Sequence, residues 1–137
     1  MYYIQIVMKN NISKFILYLY YLSLVILLIL YLFPGSIVGY LIYGDLSKQP
    51  NFINNPIGTS INHFIYFSFL TFLVLIYNSS NKKNMSSFYF LLILSLFLEL
   101  LHFFIPNRAF ELNDLLANSA GIITIFFLFK LKKKLTS

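Results

Sequence analysis

Four nearly uninterrupted apolar stretches set the limits on what this chain can fold into. They cover residues 14–33, 61–77, 88–105 and 115–131. A helix needs about 20 apolar residues, within a range of about 17–25, to cross a hydrocarbon core of about 30 Å. The four stretches meet or approach that length. The second and fourth are the shortest, and lysines at the end of the fourth can snorkel to the interface. Pro34-Gly35 closes the first stretch and Pro106 the third, because neither proline nor glycine continues a helix well. Composition points the same way. Of 137 residues, enough for a single domain spanning 1–137, 59% are hydrophobic and 10% charged. Soluble domains are about 25% charged, and a small one leaves much of its surface in water. The predicted fold class is therefore all-α: a polytopic membrane protein with a bundle of four transmembrane helices.

The cations orient the bundle. Lys9 and Lys14 precede the first stretch, Lys82 and Lys83 lie between the second and third, and Lys130, Lys132, Lys133 and Lys134 follow or end the fourth. With four crossings all of these share one side. The other side holds only Lys48 and Arg108, beside Asp45, Glu111 and Asp114. The positive-inside rule then predicts both termini in the cytoplasm and a multi-pass protein of the cytoplasmic (inner) membrane. The formal charge of +6 is thus a topology signal and an attraction to anionic lipid, with no nucleic-acid partner expected. Cysteine is absent, which excludes disulfides and thiolate metal sites.

The first stretch exceeds the about 7–15 residues of a signal-peptide core and no small-residue cleavage site follows it, so it is expected to stay in the protein. Met8-Lys9-Asn10 reads as an ordinary translation start, an expectation that N-terminal sequencing would check. The longest connection, residues 34–60, is expected outside, with its apolar part Ile37 to Tyr43 in the interface.

Polar residues inside membrane segments are costly, so each one is informative. Glu99 sits six residues before Ile105, about 9 Å along the helix from its outer end. A carboxylate there is unfavourable unless paired or protonated. Ser95, Glu99 and His102 are spaced by four and three, which places them on one helix face, and Asp114, Asn118 and Gly121 repeat the spacing. His63 opens the second stretch at the same level, Tyr66 follows about a turn later, and Arg108 lies in the short link between the third and fourth. These groups are expected to form an outward-facing polar cleft, with Glu99 close enough to Arg108 to pair. Structural readings stand beside the functional one. Glu99 with His102 or Arg108 would glue helices together, Asn113 and Asp114 would cap a helix N-terminus, and Gly121 would let two helices pack closely.

The run Glu99-Leu100-Leu101-His102-Phe103-Phe104-Ile105-Pro106-Asn107-Arg108, followed by Asp114, Asn118 and Gly121, resembles the VanZ family of small bacterial membrane proteins. His63-Phe64 with Tyr66 is a second, shorter element of the likeness, which covers roughly residues 62–121. His102 stands where the family usually has Gln, Asn107 where it usually has Gly, and Thr59-Ser60 where an Asp-Lys pair is common. The resemblance implies a cell-envelope membrane protein and, through the family's name, a link to low-level resistance to the glycopeptide teicoplanin. No general catalytic activity defines the family, so it implies fold and location more than function.

Three functions compete. The first is a non-enzymatic envelope protein whose cleft binds a lipid-linked or envelope head group. Arg108 would be the anion contact, oriented by Glu99, His63 and Asn118. Membrane lipid and a lipid-linked envelope precursor are the partners of this reading, and it needs no cofactor and no metal. The second is an intramembrane enzyme using His63, Glu99, His102 and Asp114 as metal ligands or acid/base groups. The third is a small transporter subunit, which would require an oligomer. The first is preferred.

Overall fold

A computed structural model describes residues 2–50, 53, 58–80 and 86–135. Lys82 and Lys83, used above to orient the chain, lie outside the described residues. Among the described residues the chain is all-helical, with no strand. The helices are α1 (Tyr2–Leu32), α2 (Ile37–Tyr43), α3 (Ser60–Ser80), α4 (Ser86–Leu101) with a 3-10 turn His102–Phe104, and α5 (Leu112–Leu135). Four portions are long and apolar enough to cross a membrane: Asn10–Leu32, Ser60–Ser79, Ser86–Phe104 and Leu112–Leu135.

The ends differ from the sequence expectation for physical reasons. The apolar stretches mark where lipid can be, whereas a helix continues through any residue that tolerates its backbone. Thus α1 starts well before Lys14. The fourth segment, one of the two shortest in the sequence, is a 24-residue helix, because Asn113, Asp114 and the lysine run all extend it. The third segment stops being α-helical at Leu101, short of Ile105. It tightens into the 3-10 turn before Pro106 and Asn107, whose φ of 59° lies in the left-handed region.

The core runs along the bundle axis. Phe67, Leu70, Leu91, Leu98 and Ile122 are fully or almost fully buried, with Leu27 and Tyr31 of α1 beside them. The most extensive packing joins α3 to α5; α1 lies on α3, and α4 on α5. At the end away from the polar groups, Phe88 and Phe126 stack with ring centroids 4.1 Å apart. Gly121 marks the close α3–α5 approach: a Cβ there would stand 2.5 Å from the Phe64 carbonyl oxygen and 2.9 Å from Ser68 Oγ. Large apolar side chains such as Tyr18, Leu41, Ile93 and Phe104 point outward all round. That is the pattern of a protein whose solvent is lipid.

The apolar part of the long connection is itself helical. Ser36 caps α2 by accepting from the Gly39 N–H (2.9 Å), and its own N–H donates to the Leu46 carbonyl (2.7 Å). The chain thereby folds back so closely that a Cβ at Gly39 would collide with the Lys48 carbonyl oxygen. Lys48 pairs with Asp45 at 3.7 Å, and Asp45 also accepts from the Ser47 N–H and hydroxyl. The Ser47 hydrogen bonds chiefly, and Lys48 after them, hold the Asp45 carboxyl below the usual range.

Candidate functional site

The polar residues converge at one end of the bundle, where α1 and α4 finish and α3 and α5 begin. Every long helix contributes. From α1 comes Tyr31, from α3 Ser60 and His63, from α4 and its 3-10 turn Glu99 and His102, and from α5 Asp114 and Asn118. Glu99 and Asn118 are completely buried, and His102 and Asp114 are 3% and 4% exposed.

Tyr31 is the hub. Its hydroxyl lies 2.5 Å from His63 Nδ1, 3.1 Å from Asn118 Oδ1 and 2.9 Å from Asn118 Nδ2. Its ring stacks on His102 with centroids 5.1 Å apart. The far nitrogen of His63, Nε2, is 3.3 Å from Asp114 Oδ2, while Asp114 Oδ1 accepts from the Ser60 hydroxyl at 2.5 Å. On α4, Glu99 Oε1 accepts from the Glu111 backbone N–H at 3.0 Å and lies 3.3 Å from His102 Nδ1. Glu99 Oε2 and His102 Nε2 are buried with no hydrogen-bond partner among the described residues. A buried polar atom left so costs about 1–3 kcal/mol, and more when charged. A ligand atom from each of His63, Glu99 and Asp114 falls within 4.8 Å of the others.

Arg108 departs from the expectation. Among the described residues no ion pair joins it to Glu99. Its Nη2 donates to the Leu30 carbonyl at 2.7 Å and its Nε to the Phe33 carbonyl at 3.4 Å. These carbonyls close the C-terminal end of α1, where helical partners run out and cations are favoured. The turn at Pro106 and Asn107 therefore carries the guanidinium across to α1 and not back over α4. Asn113 and Asp114 are likewise not caps: α5 starts at Leu112, and the Asp114 carboxylate is turned inward to Ser60 and His63. Glu111, at the rim, has its carboxyl raised by partial desolvation first and by the charges of Asp114 and Glu99 second.

Beside this cluster lies a cavity of about 160 Å³ between the end of α1, α2, the start of α3 and the α4–α5 link. Leu27, Leu30, Ile37 and Val38 form its apolar wall. His63, His102, Arg108, Tyr66, Asn62 and Gln49 form the polar one. Tyr66, about one turn after His63 on α3, donates to the Ser23 carbonyl at 2.8 Å. Asn62 donates to the Pro50 carbonyl at 2.9 Å, which ties the long connection to α3. Among the described residues no carboxylate lines the cavity: Glu99 and Asp114 stand behind the histidines.

Of the residues singled out in the sequence, His63, Glu99, His102, Asp114 and Asn118 meet in the cluster, and His63, His102, Tyr66 and Arg108 face the cavity. Gly121 is elsewhere, at the α3–α5 contact. Two participants escaped notice. Tyr31 is one of several tyrosines in α1, and only its depth, three residues before Pro34, matches that of the polar groups. Ser60 showed itself only as the residue standing where the family has a charged pair.

Four apolar spans around a buried polar end define a small multi-pass, all-helical membrane protein. The VanZ/LLP1 family model matches residues 15–133. The chain belongs to that family. No curated protein and no solved structure matches it significantly.

Proposed function

We propose that the protein is a non-enzymatic component of the bacterial cell envelope, and that its cavity takes the anionic head group of a membrane lipid or lipid-linked precursor. The observation that carries this reading is the sign of the lining. Arg108, a permanent cation, faces the cavity beside His63 and His102, and among the described residues no carboxylate does. Arg108 has spent two N–H groups on α1 carbonyls, and a guanidinium has five, so it is held in place with donors to spare. The apolar wall of Leu27, Leu30, Ile37 and Val38 suits the first carbons of an acyl or prenyl chain. The lysine distribution supports an orientation with both termini in the cytoplasm and the cavity on the outer side of the cytoplasmic membrane. The resistance phenotype for which the family is named is not needed for this reading.

The test is binding by purified protein in neutral detergent. A polyprenyl phosphate or phosphatidylglycerol should raise the melting temperature and be retained in native mass spectra, and diacylglycerol should not. Arg108→Gln should weaken the phosphate lipids about ten- to a hundredfold, the worth of one or two charge-assisted hydrogen bonds. Equal binding of charged and uncharged lipids, or an unchanged affinity in Arg108→Gln, would refute it.

A further inference from the structure

The buried cluster behind the cavity poses a separate question of charge. Glu99 and Asp114 lie 0% and 4% exposed in an apolar bundle, and among the described residues the one Lys or Arg at the site, Arg108, is bound to α1 carbonyls. Two carboxylates so placed need a countercharge. We propose that His63, Glu99 and Asp114 bind a divalent transition-metal ion of the zinc or manganese class. This holds whether or not the cavity takes an anion.

The geometry has three parts. First, one donor atom from each side chain lies within 4.8 Å of the others. The His63 Nε2 to Asp114 Oδ2 separation of 3.3 Å equals the edge of a coordination tetrahedron with bonds of about 2.0–2.1 Å, which set neighbouring ligand atoms about 3.3 Å apart. Second, each of the three ligands is anchored by its other polar atom. Asp114 Oδ1 is held by Ser60, Glu99 Oε1 by the Glu111 N–H and His102, and His63 Nδ1 by the Tyr31 hydroxyl. Anchoring of this kind fixes the orientation of metal ligands. Third, Glu99 Oε2 is buried without a hydrogen-bond partner, so a completely buried carboxylate has an oxygen that nothing in the fold uses. The remaining separations, up to 4.8 Å, must shorten toward about 3.3 Å when the ion binds.

The Tyr31–Asn118 contact allows His63 to serve. When Nε2 binds metal, the ring proton is on Nδ1 and is donated to the Tyr31 oxygen. The tyrosine hydroxyl then donates to Asn118 Oδ1 (3.1 Å). Without metal, Nε2–H is donated to Asp114, Tyr31 donates to Nδ1, and Asn118 Nδ2 donates to Tyr31 (2.9 Å). Asn118 presents both atoms to the hydroxyl, so either histidine tautomer is satisfied. One nitrogen and two oxygens suit zinc, manganese or iron(II) and leave at least one coordination position for water.

The experiment uses the full chain in detergent, stripped with chelator and titrated with Zn²⁺, Mn²⁺ and Co²⁺, with bound metal measured by elemental analysis. About one ion per chain is expected. Its loss is expected in His63→Gln, Glu99→Gln and Asp114→Asn, and its retention in Asp45→Asn, which removes an exposed carboxylate. A variant that fails to fold does not decide the matter, because the Co²⁺ spectrum is read on the wild type. Intense bands of a four- or five-coordinate site support the proposal, and the weak spectrum of hydrated Co²⁺ overturns it. Substoichiometric metal, or metal kept by Glu99→Gln and Asp114→Asn, would also overturn it and leave protons as what neutralises the two carboxylates.

Discussion

Single residues explain the chain's departures from its family's usual pattern. Asn107 replaces the common Gly at a position with φ 59°, where glycine is at ease and asparagine is the next best choice. Asn107→Gly is expected to leave thermal stability within a few tenths of a kcal/mol, whereas Asn107→Val should cost about 1–2 kcal/mol in detergent unfolding. His102 replaces Gln, and its Nδ1 stands beside Glu99 Oε1, where a Gln amide would also donate. Tyr31 carries the sharper prediction. Tyr31→Phe keeps the ring on His102 but leaves His63 Nδ1 and the Asn118 amide buried without their shared partner. It should lower unfolding stability by about 1–3 kcal/mol with the same helical content by circular dichroism. The site residues at i, i+3 and i+4 spacing were legible because helix geometry alone aligns them. Tyr31 was not, since nothing in a tyrosine-rich apolar helix distinguishes the buried tyrosine from those facing lipid.

Between elements, the informative contacts are backbone approaches that a side chain would block. At Gly121 the α3 backbone comes within reach of a methyl group. Gly121→Ala should therefore push α3 and α5 apart, and Gly121→Leu should destabilise by about 1–3 kcal/mol or abolish folding, read as the yield of monodisperse protein. The coupling of Arg108 also belongs to this scale. Its hydrogen bonds run to α1, so a double-mutant cycle between Arg108→Gln and Glu99→Gln should be close to additive, within about 0.5 kcal/mol. A coupling well above that would restore a direct pair. The sequence suggested such a pair because the two residues are near in the chain and opposite in charge. It could not show that the carbonyls at the end of α1 were nearer. The extents of α1 and α5 escaped for a related reason: hydropathy registers lipid contact, and helices run beyond it.

For the whole molecule, the number of apolar spans and the end at which the polar groups gather were both legible, because apolar length and helix alternation are properties of the chain alone. Where the cavity would lie was not, since its wall is built by α2 and by the fold-back at Gly39 and Lys48, contacts between segments that no periodicity links. The central claim is that this cavity opens outward and holds an anion. A chain without cysteine allows it to be tested directly with single replacements. Gln49→Cys, at the cavity mouth, and Ser79→Cys, at the opposite end of α3, would be treated with a membrane-impermeant maleimide on intact spheroplasts. Gln49→Cys should label before permeabilisation and become protected in proteoliposomes containing phosphatidylglycerol, but not in those of neutral lipid, and Ser79→Cys should label only after permeabilisation. Labelling of Ser79→Cys from outside with Gln49→Cys silent, or protection of Gln49→Cys indifferent to lipid charge, would contradict the account.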